Sequence, residues 1–107
     1  MAVNRFPLFY FNRWQHAIGQ ELLDETDAFD IRFLKTELPE TETWPKIETS
    51  LGFQIGSARD ELPAQYHVST AFLKRAPKLI AICTHGAGYD TVDLDACAQA
   101  GVLVCNQ

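Results

Sequence analysis

The chain has no apolar run long enough to cross a membrane or to form the core of a secretion signal, because Asn12 and Arg13 interrupt the opening MAVNRFPLFYF. It also lacks a basic cluster. Its nine Lys and Arg residues are scattered among fourteen Asp and Glu, for a formal charge of −5. No positive stripe exists to follow a phosphate backbone, which disfavours nucleic acid as a partner. The three cysteines include no CxxC pair, and Cys83 and Cys105 stand in apolar runs where a small buried hydrophobe fits. Reduced thiols and a cytoplasmic location follow as expectations. Internal repeats, low-complexity tracts and Gly/Ser-rich linkers are all missing.

What the sequence does have is the balance of an ordinary folded domain. With 107 residues, 47% hydrophobic and 21% charged, it is sized for one core and too apolar to be disordered. Along it, two kinds of segment alternate. Phe6 to Phe11 (FPLFYF) reads as a strand buried on both faces. Asn12 is placed to cap a helix whose stripe is Trp14, Ala17, Ile18 and Leu22. FDIRFL, from Phe29 to Leu34, alternates like a strand near a sheet edge. Trp44, Ile47 and Leu51 predict a short helix with Pro45 in its first turn and Gly52 as its stop. FQIGS is a third strand.

A helix from about Ala64 to Arg75 then places Val68, Ala71 and Phe72 on one face, and Pro77 ends it. KLIAICT, the most apolar run, predicts a central strand. Asp93 caps a last helix with Leu94, Cys97 and Ala98 inward and Gly101 at its left-handed exit, and VLVCN is the fifth strand. Five strands alternating with four helices predict parallel pairing, right-handed crossovers and helices on both faces of the sheet. This is a doubly wound α/β fold of the flavodoxin-like type. Such folds bind ligands beyond the carboxyl ends of their strands. The loop THGAGYD leaves the fourth strand at that end, and its glycines either serve the turn or bare amide donors for an anion.

The stretch from Phe72 to Gln107, FLKRAPKLIAICTHGAGYDTVDLDACAQAGVLVCNQ, resembles the D-isomer-specific 2-hydroxyacid dehydrogenases. The matching features are the APKL helix exit, a hydrophobic strand, G-x-G-Y-D-x-V-D from Gly86 to Asp93, a helix with small residues, and AGVLVCN. The resemblance implies that residues 1–107 are the substrate-binding domain of a two-domain enzyme. That enzyme moves hydride between NAD or NADP and a small 2-hydroxy or 2-oxo acid, as a homodimer when full length. It further implies that His85, Gly86, Ala87 and Gly88 offer main-chain amides to the substrate carboxylate, with Ser57 bordering the same cleft. The family's GxGxxG fingerprint and its catalytic Arg, Glu and His have no counterpart in these residues. A fragment without catalysis of its own, exposing apolar faces that invite self-association, is the expectation.

Other readings fit less well. His85 as a general base conflicts with the family's use of a histidine from the missing part. A metal held by Cys83, His85, Cys97 and Cys105 requires mid-strand cysteines to leave the core. His16 and His67 read as surface residues on helices, Asp90 as loop support, and Glu37, Glu40 and Glu42 as a solvated acidic loop. A phosphoacceptor receiver domain would need acids and a lysine where Asn12, Gly56, Ser57 and Asn106 stand, and NRWQH is no flavin phosphate loop. The rival that survives is a non-catalytic small-acid binding or interaction module of the same fold.

Overall fold

The computed structural model describes residues 5–12, 21, 22, 25–85 and 89–106. Its framework is five strands: Phe6–Phe11 (β1), Phe29–Leu34 (β2), Gly52–Gly56 (β3), Ala81–His85 (β4) and Leu103–Cys105 (β5). All neighbours pair in parallel, in the order β2-β1-β3-β4-β5. This is the flavodoxin-like order, with the reversal of winding between β1 and β3. Three helices, Glu40–Glu48 (α1), Thr70–Arg75 (α2) and Leu94–Ala100 (α3), make crossovers among the described residues.

Alternation along each strand divides the side chains between two faces. Phe9, Phe11, Leu34, Phe53, Ile55 and Ile82 form the inner face, and Trp44, Ile47, Phe72, Leu73, Ala96 and Cys97 of the helices pack on it as one cluster. Aromatic rings fill its centre: Phe9 stacks on Phe53 at 4.1 Å between centroids, and Phe72 stacks on Phe53 at 5.6 Å. Tyr66 lies 4.5 Å from Phe11, and burial pushes its phenol above the ordinary tyrosine range. The Arg75 guanidinium covers Trp44 at 3.9 Å, so the cluster ends under a cation. On the edge strand, Arg32 donates to the Lys46 carbonyl at 2.8 Å and to the Thr49 and Ser50 hydroxyls. It thereby satisfies the last turn of α1 while its positive charge complements the helix dipole.

Among the described residues, the opposite face is less evenly covered. Tyr10 and Gln54 are buried there, and Tyr10 stacks on Phe33 at 5.2 Å. Towards β5, Cys83 is only half-buried and Cys105 is exposed. Their expected packing in the core is therefore corrected, because Ile82, Thr84 and Val104 take the inward positions of these strands.

Other boundaries also shift. The helix expected from Ala64 breaks into a 3₁₀ turn, Ala64–Tyr66, and α2. Ser69 is the reason: in extended backbone, its hydroxyl accepts from the Phe72 N–H and starts a new helix. Val68 consequently pairs with Val92 instead of joining a helical stripe. Asn12 takes a left-handed φ of 66°, and its side chain accepts from the Thr36 N–H at 3.1 Å, which is not the geometry of a helix cap. The helical stripe expected after it, including Trp14 and His16, lies outside the described residues. Helix α1 starts earlier than expected, so Glu40 and Glu42 occupy its first turn, Pro45 sits inside it, and Gly52 begins β3. Central position belongs to β3, with β4 one strand from the edge.

Ile80 and Leu103 are 52% and 64% exposed at the start of β4 and β5, where the Leu103 N–H donates to the Ile80 carbonyl. Light scattering on concentrated protein should show self-association that Leu103→Lys weakens; a monomer at every concentration would remove this surface from consideration.

Candidate functional site

The carboxyl ends of β3 and β4 lie side by side, since Gly56 and His85 are register partners at the tips of the two strands. Two later segments close over these tips. Val68 and Val92 form a parallel bridge, in which the Val68 N–H donates to the Thr91 carbonyl and the Asp93 N–H to the Val68 carbonyl, both at 2.8 Å. Beneath them the Thr91 hydroxyl, 2% exposed, donates to the Gly56 carbonyl at 2.7 Å. Asp93 then caps α3 by accepting from the Ala96 N–H at 3.0 Å, and Gly101 ends that helix at a φ of 74°. The chain on both sides of residues 86–88 is thus fixed, by β4 before and by this stitching after.

A cleft of about 320 Å³ opens beside the stitching, lined by Arg59, His67, Val68 and residues 89–93. Its exposed Arg59 donates from Nε to the Asp90 carbonyl at 3.4 Å. His67 places Nε2 2.7 Å from the Leu62 carbonyl. A carbonyl oxygen only accepts, so Nε2 carries the proton and Nδ1 is left for another partner. His67 is half-buried behind a 3₁₀ turn, which corrects its expected place on a helix surface.

Among the expected site residues, His85 ends β4, and Ser57 follows β3 in a half-buried position next to the carbonyl that Thr91 holds. Gly86, Ala87 and Gly88 lie outside the described residues. Asp90 contributes its carbonyl to Arg59, and Asp93 its cap. Arg59, Thr91 and the partnered His67 are the residues that sequence reasoning missed. Spacing does not mark them: Arg59 and Thr91 meet partners 31 and 35 residues away along the chain, and His67 meets the Leu62 carbonyl across the 3₁₀ turn. Among the described residues, no three His, Cys, Asp or Glu side chains gather as metal ligands, and no helix is long and apolar enough to cross a membrane.

A family model for the D-isomer specific 2-hydroxyacid dehydrogenase catalytic domain matches residues 9–107. The chain belongs to this family. No curated protein matches it. Among solved structures, a 2-hydroxyacid dehydrogenase from Ketogulonicigenium vulgare Y25 is similar with a TM-score of 0.70 and 24% identity, over 95% of this chain and 29% of that one. The NAD⁺-bound 3-phosphoglycerate dehydrogenase of Entamoeba histolytica gives 0.71 and 18%, over 96% and 33%. D-lactate dehydrogenase of Aquifex aeolicus, in complex with NAD and lactic acid, gives 0.65 and 21%, over 94% and 27%. At such identities the likeness shows a common fold. This D-2-hydroxyacid dehydrogenase domain spans about a third or less of each of those chains.

Two buried threonines separate the stitching from the packing. Thr84, fully buried at the end of β4, has a hydroxyl with no partner among the described residues. In urea unfolding, Thr91→Val should cost about 1–3 kcal/mol, because the Gly56 carbonyl loses its donor. Thr84→Val should be neutral or stabilising, since an unbonded hydroxyl is costly to bury. Equal losses from both variants would contradict this assignment.

Proposed function

We propose that residues 1–107 are the substrate-binding part of an NAD- or NADP-dependent D-2-hydroxyacid dehydrogenase, and that the tips of β3 and β4 hold the carboxylate of a small 2-hydroxy or 2-oxo acid. The observation that carries this reading is the G-x-G-Y-D-x-V-D stretch. It begins directly at the end of β4, and its second half is stitched against the end of β3. In this assignment the main-chain amides from His85 to Gly88 donate to the carboxylate oxygens. Donation to a charged acceptor is stronger than between neutral groups. Ser57 borders the same space, and the Arg59 guanidinium in the adjoining cleft adds positive potential at pH 7.

The nicotinamide cofactor supplies and accepts the hydride in such an enzyme. The residues present do not fit it: the segment after β1, Asn12-Arg13-Trp14, has no glycine to let a helix N-terminus approach a pyrophosphate, and no GxGxxG occurs anywhere in the 107 residues. Their part is to bind and orient. Two or more fixed donors on one carboxylate restrict its rotation and present C2 of the acid at a defined height above the strand ends. Such positioning lowers the entropic part of a bimolecular barrier. Cofactor binding, proton transfer at the C2 oxygen, assembly as a homodimer and action in the cytoplasm belong to the whole enzyme in this reading. The chain alone binds the acid and leaves NADH untouched.

Calorimetric titration with pyruvate tests the assignment. Gly88→Val should weaken binding at least tenfold, about 1.4 kcal/mol, because a branched side chain obstructs approach to the amides. Mixtures of the protein, NADH and pyruvate should keep their absorbance at 340 nm. Unchanged affinity in the variant would take the loop out of the site, and NADH oxidation would refute a purely binding role.

A further inference from the structure

We propose that Cys83 and Cys105 are an oxidisable dithiol pair that closes an intramolecular disulfide between β4 and β5 when the protein meets a peroxide. The two residues are register partners on neighbouring parallel strands. Partners in a sheet have side chains on the same face, about 4.8 Å apart between strands. Disulfides commonly join Cα atoms about 4.4–6.8 Å apart, a range that includes this spacing. Both cysteines lie on the face away from the aromatic core, Cys83 half-buried and Cys105 exposed. Burial, and next the adjacent Cys105 thiol, push the Cys83 thiol up, against a hydrogen bond from Gln54 that lowers it. The influence of one sulfur on the other agrees with their proximity in the sheet.

The order of events follows from access. The exposed Cys105 sulfur attacks one peroxide oxygen and the O–O bond breaks, leaving a sulfenic acid and one water. The Cys83 sulfur, as thiolate, then attacks the Cys105 sulfur; an S–S bond forms, the S–O bond breaks, and hydroxide leaves with the thiol proton as a second water. Two thiols are oxidised by two electrons and the peroxide is reduced by two. The third cysteine, Cys97, is buried within the helix-side cluster and takes no part. Closure encircles residues 84–104, which include the stitched segment and α3, and ties the edge strand to its neighbour.

The test is hydrogen peroxide treatment of the protein, quenching by alkylation, and intact and peptide mass spectrometry. The expected product is monomeric, has lost two hydrogen atoms, retains one alkylatable thiol of the three, and yields a Cys83–Cys105 linked peptide that dithiothreitol separates. C97S should give the same linkage, whereas C83S and C105S should give none. Covalent dimers through Cys105, sulfinic or sulfonic acid on Cys105 with Cys83 still alkylatable, or a linkage involving Cys97 would each overturn the proposal.

Discussion

One buried hydrogen bond, from the Thr91 hydroxyl to the Gly56 carbonyl, holds the carboxyl end of the sheet in the form that the functional reading needs. Gly56 is the last residue of β3, and its carbonyl accepts from the Thr91 hydroxyl at 2.7 Å. Without Thr91 that acceptor would lose a donor, and the segment 89–93 would be tied to the strand ends less directly, through the Val68–Val92 bridge and the Arg59 contact to the Asp90 carbonyl. With it, three distant pieces of the chain converge: the end of β3, the turn before α2 and the entrance to α3. Arg59 and His67 arrive in the cleft because the middle piece is held in this way.

The stitching is built on a sheet with unequal faces. Helices α1, α2 and α3 press an aromatic cluster against one side, and ring contacts of 4.1 to 5.7 Å leave its strands little freedom to shift register. Strand ends inherit that rigidity, which suits a site formed where strands stop. Near β5 the other face ends in Leu103 and Cys105, both exposed. Exposed apolar groups beside β5 thus stand opposite a packed core.

How much of this was legible beforehand depended on whether the signal was local. Strand positions, the Asp93 cap and the Gly101 exit could be read because apolar runs, an acid before a helix and a glycine after it act within a few residues. The doubly wound parallel class followed from the alternation of strands and helices, but the place of β4, read as central, did not. The break at Ser69 was also a local signal, a hydroxyl residue three before Phe72, but the helical spacing of Val68, Ala71 and Phe72 outweighed it. Cys105 was misjudged because an apolar run on an edge strand does not say which of its faces is covered. Arg59 and Thr91 were beyond reach because their partners lie 31 and 35 residues away along the chain, and Thr91 stands in the G-x-G-Y-D-x-V-D stretch only at a variable position; His67 turns to Leu62, five residues back, in a segment whose spacing reads as helix.

The account stands on the claim that peptide nitrogens at the end of β4 grip an organic carboxylate. Residue-resolved nuclear magnetic resonance of the amide groups during a pyruvate titration examines it most directly. Saturable shifts should appear at Ala87 and Gly88, with smaller ones at Ser57 and Tyr89, while Ala28 and Ile80 at the opposite end of the strands stay unmoved. Shifts centred on Ala28 and Ile80, or none at Ala87 and Gly88 at saturating acid, would contradict it.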